Sequence, residues 1–99
     1  MTTTVINHPV NSLQTLGERI RQRRAQMLVH SFIYYHLDDC LVDDHTWQAW
    51  ANELRDLQAI PCGPIGFYDE AFEGWTGATG IHLPLRDPWV VGRAERLMV

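Results

Sequence analysis

The sequence predicts a small, mainly α domain: a two-helix antiparallel hairpin closed by a C-terminal helix, with an irregular loop region in between. Three observations predict it. Apolar residues recur at helical spacing from Leu13 to Tyr35 and again from Trp47 to Leu57, a short acidic turn separates the two runs, and Asp87-Pro88 opens a third. A chain of 99 residues can bury one modest core. Residues 11–99 are therefore read as one domain, preceded by an arm over residues 1–10.

The arm is polar and β-branched and ends in His8-Pro9, where proline disfavours helix in the residue before it. It is expected to be flexible. Two cap signals follow, Asn11-Ser12-Leu13-Gln14 and Thr15-Leu16-Gly17-Glu18, and either can start the first helix, placed over residues 12–37. Leu16, Ile20, Met27, Leu28, Phe32 and Tyr35 form its apolar stripe, with arginines in the turns between. A helix of about 25 residues spans about 40 Å, more than so small a core needs. Its arginine-bearing end is expected to project, giving Arg19, Arg21, Arg23 and Arg24 as a partner surface for an acidic group. Pairing of two copies through this helix, as a homodimer, follows from the same length.

The turn Asp38-Asp39-Cys40-Leu41-Val42-Asp43 leads to a second helix over residues 44–58, with Asp44 as the expected N-cap. Trp47, Trp50, Ala51, Leu54 and Leu57 share one face of it. It stops before Pro61-Cys62-Gly63-Pro64. Beyond that point the pattern weakens: Ile65 to Tyr68 reads as a short extended piece, Asp69 to Trp75 as a helical turn, and Gly74 to Gly80 as a flexible loop. Asp87 then caps a last helix, residues 87–98, with Pro88 at its first position and Val90, Val91, Ala94, Leu97 and Met98 facing the core.

Composition narrows the function classes. The net charge of −4 is mild and unevenly placed: residues 11–37 carry four arginines against Glu18, and residues 38–58 six acids against Arg55. All eight basic residues are arginine, so Schiff-base, lysyl-adenylate and P-loop lysine chemistry is excluded from this chain. Cys40 and Cys62 are too few for a disulfide framework, no leader of secretory type opens the sequence, and no apolar run approaches the roughly 20 residues of a membrane span. A cytoplasmic protein with free thiols is expected. The arginines lack interleaved aromatics, which argues against a single-strand nucleic-acid platform.

The stretch from His30 to Trp47 holds the chemistry-bearing residues. His30, His36, Cys40 and His45 lie among Asp38, Asp39, Asp43 and Asp44, but their spacing fits no recognised metal-ligand pattern and no metal is expected. Neither cysteine carries the surroundings of an activated nucleophile, and Asp43 and Asp44 are adjacent in sequence and point apart. No enzyme activity is expected. Trp50, Trp75 and Trp89 are read as core, whereas Trp47 is a candidate ligand platform.

From His30 to Gln58 the paired Tyr34-Tyr35, Asp38, the turn residues Val42 and Asp44, and the closing Glu53-Leu54 resemble the N-terminal domain of NAD-dependent DNA ligases. The likeness covers under a third of the chain. Further on, Thr79-Gly80 and the run Pro88, Val90 or Val91, Gly92 and Ala94 are similar to short phage and prophage proteins related to those ligases. The resemblance implies a helical hairpin that takes the nicotinamide mononucleotide half of NAD, with Tyr34, Tyr35, Asp44, Trp47 and Gln48 at the contact positions. Trp47 stands where the family has tyrosine, which keeps a π face and loses a hydroxyl. Gln48 stands in place of an aspartate, which removes a negative charge. Ligase activity is not implied, because its lysine belongs to a separate domain.

Two function classes follow. The first expectation is a non-catalytic binding protein of phage or prophage type, acting in the cytoplasm of an infected or lysogenic bacterium. It would modulate or inhibit a host protein of defence or DNA processing, in the manner of an anti-CRISPR inhibitor. The alternative is a module that binds nicotinamide mononucleotide or NAD as a ligand. Neither requires a resident cofactor.

Overall fold

The computed structural model describes residues 14–99, so the arm over residues 1–10 and the cap signal at Ser12 lie outside it. Three helices stand in chain order: α1 from Leu16 to His36, α2 from Asp44 to Gln58 and α3 from Pro88 to Met98. No strand occurs among the described residues, and no helix among them is long and apolar enough to cross a membrane. Both α2 and α3 pack against α1 and make no close approach to each other. The C-terminal helix thus lies on the first helix of the hairpin.

Helix α1 starts on the second of its two cap signals. Thr15 accepts from the Glu18 amide at 3.1 Å, and the Glu18 carboxylate takes the Thr15 amide at 2.9 Å, a complete capping box. Its end is set at Asp38, whose left-handed φ of +53° turns the chain so that the Asp39 amide returns to the Ile33 carbonyl. At 21 residues the helix is shorter than its apolar stripe suggests. It is also covered: Ile20, Met27, Leu28, Val29, Phe32 and Ile33 are all buried.

The arginines of α1 do not project. Arg23 and Arg24 are buried, at 8% and 6% exposure, and the four-residue partner surface expected from the sequence is therefore corrected. Arg19 and Arg23 share Glu53 of α2, at 2.6 and 3.1 Å. Arg24 donates to the Asp69 carboxylate at 2.7 Å, to the Phe67 carbonyl at 2.9 Å and to Gln58. Arg21 alone is exposed, its guanidinium 4.2 Å from the centre of the Phe67 ring. A basic helix next to an acidic one is, in this protein, an intramolecular match.

Helix α2 is capped by Asp43 rather than Asp44. The Asp43 carboxylate accepts from the Thr46 amide at 2.7 Å, and Asp44 becomes the first helical residue. Ala51 and Leu54 are its buried residues; Trp47, Trp50 and Leu57 are half-buried around them. In α3 the expected Asp87 cap and Pro88 are in place, and Val90 and Ala94 enter the core. Leu97 and Met98 are exposed instead, Leu97 lining a surface groove beside α1 rather than entering the core.

The region between α2 and α3 is irregular but packed. Asp69 organises its first part, its carboxylate accepting from the Ile65 and Gly66 amides at 3.2 and 2.8 Å while it holds Arg24. No extended piece forms over Ile65 to Tyr68; the chain turns there, with φ of +79° at Gly66 and +54° at Tyr68. Phe72, Trp75, Leu83 and Leu85 are buried and complete the core. The glycine loop is not loose either. The Trp75 indole donates to the Ala51 carbonyl at 3.0 Å, and Gly77, at φ +85°, leaves room for that carbonyl where a Cβ would stand 3.2 Å away.

Candidate functional site

The two ends that the hairpin turn brings together, the C-terminus of α1 and the N-terminus of α2, enclose a cavity of about 190 Å³. Tyr34 and Tyr35 come from the last turn of α1, with ring centres 5.0 Å apart and edge to face. Asp44 and Trp47 come from the first turn of α2, three residues apart and thus on one face. Cys40, Leu41 and Val42 of the turn close one side. Ala78 and Thr79 of the glycine loop close the other, held there by a 3.1 Å hydrogen bond between the Tyr35 and Thr79 hydroxyls.

Four of the five ligand positions expected from the sequence therefore surround one cavity. Gln48 does not line it. Its amide donates to the Gly77 carbonyl at 3.0 Å and to Asn52, so it fastens the glycine loop to α2. One helical position beyond Trp47 rotates a side chain by about 100°, enough to take it off the cavity wall. Trp47 is half-buried, its ring centre 6.4 Å from that of Trp75, which seats it between core and cavity.

The floor was missed in the sequence. His30 and Ser31 line it, one helical turn before the tyrosine pair. His30 packs its ring 5.5 Å from Trp50, and burial lowers its pKa from 6.5, which favours the neutral imidazole. Ser31 is 1% exposed. His30 was weighed from the sequence only as a metal ligand, and the only signal for Ser31 was its helical spacing to Tyr34 and Tyr35. A serine on an apolar helix face is otherwise read as filler.

The electrostatics of the cavity are simple. Asp44 is its one carboxylate and no arginine lines it. Next to it the Asp43 carboxyl is held below its ordinary value, chiefly by the Thr46 amide it accepts. The site can thus receive a flat ring that is neutral or positively charged, among aromatic side chains and beside a carboxylate. No three His, Cys, Asp or Glu side chains converge to hold a metal ion among the described residues. Comparison with known proteins finds no matching protein family, no matching curated protein and no matching solved structure.

Proposed function

We propose that this protein is a non-catalytic binding module for a nicotinamide-type ring, presented as nicotinamide mononucleotide or NAD, in keeping with its resemblance to the N-terminal domain of the NAD-dependent ligases. The observation that carries this reading is the convergence of Tyr34, Tyr35, Asp44 and Trp47 on a single cavity. Its volume of about 190 Å³ suits one ring. An apolar cavity of about 150 Å³ takes benzene, and sites for drug-sized ligands begin at about 300 Å³. The ring enters, and the ribose and phosphate stay at the mouth.

Charge supports the same orientation. A pyridinium gains from the aromatic faces and from the Asp44 carboxylate, whereas a phosphate finds no arginine on the cavity wall. The test is a thermal-shift titration with nicotinamide mononucleotide, NAD and AMP at millimolar concentration. A shift of several degrees with the first two and none with AMP is expected, since a ligand bound only by the folded state stabilises it by mass action. No shift with any of the three contradicts the reading.

A second reading keeps the phage-type modulator of a host protein. Tyr34, Leu37 and Leu41 are exposed, at 57%, 42% and 47%, around the acidic turn of the hairpin. Such a patch of apolar side chains is suited to a protein partner. Its test is a pull-down from host lysate with the protein and with a Tyr34→Glu, Leu41→Glu variant; a partner kept by the first and lost by the second supports it, and none at micromolar bait counts against it.

A further inference from the structure

Two polar atoms have no hydrogen-bond partner among the described residues, the Ser31 hydroxyl and His30 Nδ1; both are buried, in side chains that line the cavity floor. We propose that Ser31, assisted by His30, selects ligands whose ring carries an uncharged hydrogen-bonding substituent, a carboxamide above all, over the bare ring and over the corresponding acid. This rests on the ring-binding reading and adds the residue that sets its specificity.

A buried hydroxyl without a partner is uncommon, because the fold gives up its water and receives nothing in return. A serine inside a helix ordinarily turns its hydroxyl to the carbonyl four residues back. Ser31 makes no such bond. It lies three residues before Tyr34 and four before Tyr35, on the helix face that carries the aromatic pair. His30 stands four residues before Tyr34, so both side chains belong to the helix face that forms this wall of the cavity.

The glycine loop leaves the serine this freedom. Gly80 lies flush against Ser31: a Cβ there would overlap the hydroxyl and stand 3.1 Å from the Ser31 Cβ. The adjacent Thr79 is fixed to Tyr35, so the loop roofs the hydroxyl without bonding to it. To reach a ligand the hydroxyl leaves the loop by rotation about χ1 to another staggered position. There it can donate to a carboxamide oxygen or accept from its nitrogen. His30 Nδ1, on a neutral ring, is either donor or acceptor according to tautomer, which suits an amide with both kinds of atom.

The acid is disfavoured by the rest of the wall. A carboxylate on the ring would share the cavity with the Asp44 carboxylate, with no guanidinium lining it to offset the repulsion. The bare ring would leave both floor atoms unpaired, and a site built to hydrogen-bond a substituent discriminates against the analogue without it.

Calorimetric titration with N-methylnicotinamide, N-methylnicotinate and N-methylpyridinium tests this. The amide is expected to bind about tenfold more tightly than the bare ring, with the acid weakest. Ser31→Ala should lower the affinity of the amide to that of the bare ring and leave the bare ring unchanged. Equal binding of amide and bare ring, or a preference that survives Ser31→Ala, overturns the inference while leaving the ring-binding reading in place. Binding of none of the three overturns both. Should the alanine variant fail to fold, Ser31→Cys, similar in size and a much weaker donor, gives the same comparison.

Discussion

At the scale of single residues, the side chains that carry the site and those that carry the fold can be separated by substitution. Trp47 lines the cavity and also packs, tilted, against Trp75. Trp47→Ala should lower affinity for nicotinamide mononucleotide at least tenfold and cost about 1 to 2 kcal/mol of stability, less than the roughly 3 to 5 kcal/mol of a fully buried tryptophan. Calorimetry and urea denaturation read the two effects independently. Arg24 behaves in the opposite way: it does not line the cavity and makes charged hydrogen bonds to Asp69 and Phe67. Arg24→Met should destabilise by about 2 kcal/mol, because the Phe67 carbonyl loses its partner, and should leave ring binding unchanged. Arg24 also shows where residue-level reading of the sequence stops. A run of arginines looks the same whether it faces water or an acid; Glu53 is 30 residues from Arg23, and Asp69 is 45 from Arg24.

At the scale of elements, helix boundaries were legible wherever a cap is written locally. Thr15 with Glu18, and Asp87 with Pro88, announce their helices in four residues or fewer. The shift of the second cap from Asp44 to Asp43 shows the limit: two adjacent aspartates satisfy the same rule, and the choice depends on which one reaches the Thr46 amide. The irregular region was least legible, because its order comes from tertiary bonds. Gln48 and the Trp75 indole both bind the backbone across the loop, at Gly77 and Ala51. Gly77 is held by conformation as well as by space. Gly77→Ala should therefore cost about 1 to 2 kcal/mol, part from its positive φ and part from the approach to the Ala51 carbonyl. Because the loop forms one wall of the cavity, the same variant should also weaken ring binding. A stability unchanged within about 0.5 kcal/mol in chemical denaturation would show that the loop is not held in this way.

At the scale of the whole molecule, charge pairing across elements sets the response to pH. Glu53 is held below its ordinary value of 4.5, chiefly by its bond from Arg19, and Asp69 below 3.8, chiefly by its bond from Arg24. Both folded pKa values lie under the unfolded ones. Their stabilisation is thus full above about pH 5 and is lost as pH falls through the folded values. His30, lowered from 6.5 by burial, adds a milder loss that starts as pH falls below 6.5, since the unfolded chain takes up the proton first. On the alkaline side Tyr68 is pushed up to about 12 by burial and by its bond to Asp87. That contribution is full below pH 10 and is lost as pH rises toward 12. Melting temperature should therefore be flat from about pH 7 to 9 and fall on both sides, with the acid limb shallower in Asp69→Asn. The hairpin class was legible at this scale from helical periodicity, the acidic turn and the Asp87-Pro88 start, whereas the cavity depends on the glycine loop folding back to the tyrosine pair. Its occupancy is the central claim. Amide and indole ¹H–¹⁵N spectra recorded with and without nicotinamide mononucleotide test it most directly. Ligand in the cavity should shift the Trp47 indole and the amides of Ser31, Tyr35, Asp44 and Thr79 and leave the Trp89 indole unmoved. Unchanged spectra at millimolar ligand, or shifts gathered around Trp89 and Arg93 instead, would contradict it.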